Sequence, residues 1–109
     1  MTLRPPPASS SSPASRVVAL DYEIVQEQAA ALGRLGRALE AALAALSAYN
    51  QTHNERGAAR ARLVQNASDA LWRFVIQREA CGLRDARAVM RQYGIPAEVQ
   101  NRMGAFGSP

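Results

Sequence analysis

The sequence predicts an all-α fold, in which a long antiparallel helical hairpin carries two short C-terminal helices and completes a helical bundle as a dimer. Three observations lead to this class. Hydrophobic residues form 48% of the chain and Ala dominates them, whereas sheets favour β-branched and aromatic residues. Apolar residues recur at alternating spacings of three and four, which is the period of a helix. Short connections rich in turn residues separate the periodic stretches.

The N-terminal stretch is predicted to be a disordered tail over residues 1–18, followed by a single α-helical domain over residues 19–105. The tail contains Pro5–Pro7 and the serine run Ser9–Ser12. Because it has little apolar surface, burial cannot offset the entropy that ordering would remove.

The first helix is predicted from about Leu20 to Tyr49, with Asp21 as its N-cap. Its apolar residues repeat every seven positions, as in a coiled coil. One core position of the repeat holds Val25, Leu32, Leu39 and Leu46, and the other holds Gln28, Leu35, Ala42 and Tyr49. Small residues beside the repeat, such as Gly36, should let a second helix approach closely.

A polar connection, Asn50–Asn54, should lead into a second helix from about Glu55 to Cys81. The inward residues of this helix are Val64, Ala67, Leu71, Phe74, Arg78 and Cys81. A short connection makes the two helices antiparallel, so the numbers of facing residues should add to about 105 if the hairpin centres near Thr52. Gly82 should end the helix, with Leu83 folding back as a hydrophobic contact.

Two short helices are predicted to follow. Asp85 should cap a helix that runs to about Tyr93, carries Val89, Met90 and Tyr93 inward, and ends at Gly94. Pro96 suits the first position of the last helix, which should end at Gly104. Val99 and Met103 would form the buried side of that helix.

Trp72 and Ile76 point away from the side of their helix that faces the first helix, at 100° per residue. Leaving both in water would forfeit roughly 3–6 kcal/mol of apolar burial. We therefore expect an interaction surface made of Trp72, Ile76, Val89, Met90 and Tyr93. Either the C-terminal helices or a second chain could cover this surface, and the sequence leaves both alternatives open.

Polar residues interrupt the two core repeats at the open end of the hairpin. Arg78 and Gln28 occupy core positions there, near Glu23 and Glu27. A buried Arg needs partners, because an unpaired buried charge is strongly destabilising. We therefore expect a buried polar cluster of Glu23, Glu27, Gln28 and Arg78 that fixes the helix register, with a polar pocket as the alternative.

The chain is basic, with a net charge of +4 and a pI of about 10.2, and all 13 basic residues are Arg. These residues are scattered among carboxylates, which is typical of a solvated surface. Residues 86–103 superficially resemble a helix-turn-helix, although Val99 falls one residue earlier than the motif requires. The alternative function is therefore a nucleic-acid-binding regulator that uses Arg84, Arg87, Arg91 and Arg102.

No catalytic, metal-binding or cofactor-binding residues are predicted, and we expect the protein not to be an enzyme. Cys81 is the one cysteine and His53 the one histidine, so neither a disulfide framework nor a zinc cluster is expected. No apolar run approaches the ~18 residues of a membrane span, and a secretory signal is not apparent. We expect a cytoplasmic protein that does not bind membranes.

Two stretches, residues 19–28 and 77–85, together with Tyr93–Pro96 and Arg102–Gly104, resemble a family of small uncharacterised bacterial α-helical proteins. The resemblance covers nearly everything after the tail. It implies a compact helical domain from a GC-rich bacterium and supplies no activity. The biochemical function is thus unknown, and the reading favoured here is a non-enzymatic helical interaction or assembly module that forms a homodimer or binds a protein partner.

Overall fold

The structure, a computed structural model, describes residues 13–107 and the side chains of residues 13–103. It contains four helices and, over the described residues, no strand, which confirms the all-α prediction. The helices are α1 (Pro13–Thr52), α2 (Ala58–Ala80), α3 (Ala86–Tyr93) and α4 (Ala97–Gly107). Residues 1–12 of the predicted tail lie outside the described residues.

The chain divides into two units, residues 1–30 and residues 31–109, and each is described by itself. In the first unit, the described residues form the N-terminal part of α1. The second unit contains the rest of α1 and all of α2, α3 and α4. The predicted single domain over residues 19–105 stays a prediction.

Helix α1 is longer at both ends than the sequence predicted. It begins at Pro13, so residues 13–18 are helical rather than part of a disordered tail, and Asp21 lies inside the helix rather than at its N-cap. Proline fits a first helical turn because the N–H that it lacks has no partner there. At the other end the helix continues to Thr52, and the ring of Tyr49 stacks on His53 with centroids 4.0 Å apart.

The register of the hairpin differs from the predicted one. The Nε of Arg60 donates to the Oδ1 of Asn50 at 2.9 Å, and a Cβ built on Gly36 would lie 3.4 Å from the ring of Phe74. The numbers of both pairs add to 110, where the sequence predicted about 105. The shift follows from the longer α1, because the connection then spans residues 53–57 and α2 begins after Gly57 rather than near Glu55.

Gly82 and Gly94 end helices α2 and α3, as predicted, and both ends form the same hydrogen-bonded turn. Gly82 and Gly94 adopt positive φ values of 88° and 58°, which favour glycine. The N–H of Leu83 donates to the carbonyl of Arg78 at 2.8 Å, and that of Ile95 to the carbonyl of Met90 at 3.1 Å. Ile95 is buried, whereas Leu83 is exposed, so the predicted hydrophobic contact of Leu83 is wrong.

The N-cap of α3 is confirmed, and the bounds of α4 are not. The carboxylate of Asp85 accepts a hydrogen bond from the backbone N–H of Ala88 at 3.2 Å. Helix α4 begins at Ala97, with the carbonyl of Pro96 accepting from the N–H of Gln100 at 3.1 Å, and it continues beyond the predicted end at Gly104.

The core of the second unit lies between α1, α2 and the two short helices. Its buried apolar residues are Leu39, Leu46, Val64, Ala67, Ala70, Leu71, Phe74, Val75, Val89, Ile95 and Val99. Ser68 is the buried polar residue of the described chain, and its hydroxyl lies 2.9 Å from the carbonyl of Val64 and 3.2 Å from that of Val99. This hydroxyl therefore links α2 to α4 within the buried apolar core.

A glycine allows α1 to approach the aromatic part of the core. Gly36 is buried, and a Cβ there would meet the hydroxyl of Tyr93 at 3.2 Å as well as the ring of Phe74. The two rings pack edge to face with centroids 5.4 Å apart. The predicted role of Gly36, to permit a close helix approach, is confirmed.

Candidate interaction surfaces

The N-terminal part of α1 exposes an apolar segment that the sequence reading did not identify. Six large apolar side chains between residues 17 and 25 each leave 52–68% of their surface exposed. They are Val17, Val18, Leu20, Tyr22, Ile24 and Val25, which we call the α1 segment. Large apolar side chains that are exposed close together mark interaction sites, so this segment is a candidate interaction surface.

The seven-residue repeat of α1 extends into this segment. Because the helix begins at Pro13, Val18 falls in the same repeat position as Val25, Leu32, Leu39 and Leu46. Along that position Val18 and Val25 are 68% and 60% exposed, while Leu39 and Leu46 are 0% and 2% exposed. The prediction that Val25 lies in the core is therefore wrong. The missed signal was Val18, whose spacing from Val25 was hidden by the predicted disorder of residues 1–18.

Of the five residues of the predicted interaction surface, the structure exposes two and buries or half-buries three. Trp72 and Ile76 are 41% and 43% exposed, and they lie one helical turn apart on α2. Val89 is wholly buried, which confirms its predicted inward position on α3 and makes its assignment to an interaction surface wrong. Met90 and Tyr93 are half-buried and pack against the core, because the apolar side of α3 turns inward.

Arg73 lies beside the two exposed apolar residues of α2. It is exposed and stands three positions before Ile76, so the three side chains share one side of the helix. We call Trp72, Arg73 and Ile76 the α2 face. Its neighbour Asp69 is half-buried and accepts a hydrogen bond from the amide of Gln65 at 2.8 Å.

The four residues of the predicted polar cluster are not buried. Glu23 and Glu27 are exposed, while Gln28 and Arg78 are half-buried. The guanidinium of Arg78 lies 5.8 Å from the centroid of the Phe74 ring, a cation–π arrangement that the sequence did not indicate. Burial of this set was therefore predicted wrongly, and its assembly into one cluster stays a prediction.

Arg60 connects three helices through an ion pair and a hydrogen bond that the sequence did not predict. Arg60 of α2 forms a two-bonded salt bridge with Glu98 of α4, one bond of which spans 3.0 Å, and it also donates to Asn50 of α1. The hydrogen bond and charge of Arg60 lower the pKa of the Glu98 carboxyl, and the same bond raises the pKa of Arg60. Only the corrected register brings Asn50 opposite Arg60, so the periodicity alone could not reveal this tie.

Helix α4 is poorly suited to the recognition role of a helix-turn-helix. Val99 is wholly buried, Glu98 is paired with Arg60, and the amide of Gln100 donates to the carbonyl of Ile95 at 2.9 Å. Arg102 donates to the side chain of Gln65 at 2.7 Å. The polar side chains of α4 that would have to contact bases are therefore engaged in contacts within the protein.

The basic side of α3 remains open to solvent. Arg84, Arg87 and Arg91 are exposed, and Arg87 and Arg91 lie one turn apart on α3. Arg91 lies 4.0 Å from the carboxylate of Asp85. Three scattered Arg residues supply modest attraction for phosphate. Nucleic-acid binding through these residues stays a prediction.

The described side chains also bear on whether the chain holds a metal site, and the helices on whether it spans a membrane. Over residues 13–103, no three His, Cys, Asp or Glu side chains are grouped closely enough to hold a metal ion. Cys81 is half-buried, and its sulfur lies 3.7 Å from the amide of Gln77. Among the helices of residues 13–107, none combines the length and apolar character that crossing a membrane requires.

Comparison with known proteins and protein families assigns the chain to one family. Neither a search of curated proteins nor a search of solved structures finds a match. A family model matches residues 8–109, which is nearly the whole sequence, and it describes a family of unknown function. The match agrees with the resemblance found in the sequence to uncharacterised helical proteins, and it brings no activity with it. The chain therefore belongs to the family of unknown function DUF6665.

Proposed function

We propose that the protein is a non-enzymatic helical assembly module that forms a homodimer through the α1 segment. The observation that carries this proposal is the row of six large apolar side chains, each more than half exposed, on nine consecutive residues of one helix. A seven-residue apolar repeat is the pattern by which one helix binds another. The occupant of this segment is therefore a helix.

The apolar surface of the segment is large enough to drive association. Complete burial of one such side chain contributes ~1.5–3 kcal/mol, so the exposed part of the six amounts to roughly 5–10 kcal/mol per chain. Association costs about 4–15 kcal/mol in lost translational and rotational freedom. Two chains that bury this surface together can offset that cost.

A second copy of the chain is the partner that these features favour. Closed two-fold dimers are the commonest assemblies of soluble proteins. A second copy offers exposed apolar residues on helices of its own, both in the α1 segment and on the α2 face. No other molecule is needed to complete the burial.

Sedimentation equilibrium of the full chain tests the proposal. We expect a dimer, and we expect the double substitution Val18→Ser and Val25→Ser to weaken dimerisation at least about a hundredfold, because both chains lose apolar burial at each position. Leu83→Ser is the matched control, since Leu83 is an exposed apolar residue outside α1. A wild-type chain that stays monomeric at all attainable concentrations, or a double variant that dimerises normally, would contradict the proposal.

A further inference from the structure

Charge is distributed unevenly between the two units of the chain. Residues 13–30 contain one Arg and three carboxylates, a net charge of −2. Residues 31–103 contain eleven Arg and six carboxylates, a net charge of +5. The exposed α1 segment is thus embedded in acidic sequence, and the exposed α2 face belongs to the basic part of the chain.

Pairing of the α1 segment with the same segment of a second copy would bring like charges together. Asp21 lies in the middle of the segment, seven residues before Gln28 and therefore in the second core position of the repeat. Glu23 and Glu27 are exposed beside it. Two copies of residues 13–30 would together carry a net charge of −4, which costs association free energy.

The α2 face has the complementary chemistry. It presents the exposed Trp72 and Ile76, with the exposed Arg73 next to Ile76 on the solvent side of the helix. Trp and Arg are the residue types most enriched at the energetic centres of protein interfaces. An apolar helix that carries an acidic side chain therefore fits this face better than a neutral or basic one does.

We infer that the α1 segment of one copy docks on the α2 face of a second copy, with Asp21 of the first against Arg73 of the second. The inference rests on the proposed homodimer and names the surface that receives the segment. Two-fold symmetry makes the arrangement reciprocal, so each chain gives its α1 segment and receives that of its partner. Both exposed apolar surfaces of the chain are then covered, and their opposite charges meet.

Charge reversal tests the contact. Asp21→Arg and Arg73→Asp should each weaken dimerisation about tenfold, because each places like charges together at the interface. The double variant Asp21→Arg with Arg73→Asp should recover most of the affinity, since the pair is restored with its signs exchanged. Glu40→Arg, a reversal at an exposed position of α1 in residues 31–52, should leave affinity unchanged. Circular dichroism of each variant verifies that the helices are retained.

Cross-linking of single-cysteine chains reports the geometry directly. In a Cys81→Ala background, chains with Val25→Cys and chains with Ile76→Cys should form a mixed product with a short bis-maleimide. Val25→Cys chains that link mainly to one another, or a double charge variant no tighter than the single ones, would overturn the docking inference while the dimer itself survives. A monomeric wild-type chain would instead overturn both the dimer and the inference.

Discussion

The two halves of α1 carry the same seven-residue repeat, but the repeat is buried in one half and exposed in the other. Leu39 and Leu46 are completely covered by the core of the second unit, whereas Val18 and Val25 occupy the same repeat position and are exposed. A repeat specifies which side of a helix is apolar. It does not specify what covers that side, which depends on the elements that the rest of the chain can supply.

Helix length explains part of the difference. Helix α1 has 40 residues and α2 has 23, so an antiparallel α2 can accompany little more than half of its partner. In the rest of the repeat, Val18 and Val25 are exposed. The comparison also shows that Val18 and Val25 are chemically suited to a core, since they take the repeat position that leucine takes further along the helix.

Truncating the side chain at the shared repeat position should give the largest difference in unfolding free energy between the two halves of α1. Leu39→Ala should reduce the free energy of unfolding by about 2–5 kcal/mol, because it removes a wholly buried side chain and leaves a cavity. Val25→Ala should change it by less than about 0.5 kcal/mol when the protein is dilute enough to be monomeric. Urea unfolding followed by circular dichroism measures both. Equal losses would mean that Val25 is packed within the monomer.

Glycine substitutions sharpen the same comparison within the second unit. Gly36→Leu should cost about 1–3 kcal/mol, because the new side chain would enter the space of Phe74 and the Tyr93 hydroxyl. Gly33→Ala should instead stabilise by about 0.5–1 kcal/mol, since alanine favours a helix and its Cβ would meet only the mobile end of Arg37. Thermal unfolding of both variants tests this contrast. A stable Gly36→Leu variant would show that α1 can move away from the aromatic pair without loss.

The sequence predicted those parts of the fold that depend on local chemistry. Asp85 caps α3, and Gly82 and Gly94 end their helices, because these roles need one residue type with particular neighbours. The inward side of α2 was also predictable, since its apolar period continues without interruption from Val64 to Phe74. The candidate site was predicted only in its two α2 residues, Trp72 and Ile76.

The features that were mispredicted depend on where a helix begins or on which elements meet. Pro13 starts α1, although a proline after a serine run is equally typical of a tail. An error of three residues at the end of α1 shifted the hairpin register and concealed the contact of Arg60 with Asn50. Glu98 lies 38 residues from Arg60 in sequence, and no local pattern relates a carboxylate to a guanidinium over that distance.

The salt bridge between Arg60 and Glu98 should make the stability of the second unit depend on pH. Because the pKa of Glu98 is lowered in the folded protein, its contribution to stability is complete above the ordinary value of about 4.5. This contribution is lost as the pH falls through the lowered pKa, when the carboxyl becomes protonated and the salt bridge breaks. The unfolding free energy of the wild-type chain should therefore decrease more steeply on acidification than that of Glu98→Gln.

The effect should be the smallest of the three, because Glu98 is partly exposed and solvent screens the pair. Urea midpoints measured from neutral pH down to pH values below the ordinary carboxyl range give the two slopes. Glu79→Gln is the control, since it removes an exposed carboxylate of α2 for which no ion pair is observed among the described side chains, and its slope should match that of the wild type. If Glu98→Gln also retained the wild-type slope, the acid sensitivity of the fold would arise from other carboxylates. The contacts between α2 and α4 that do not depend on Glu98, which are the core packing of Val99 and the hydrogen bonds of Ser68 and Arg102, would then hold the two helices together.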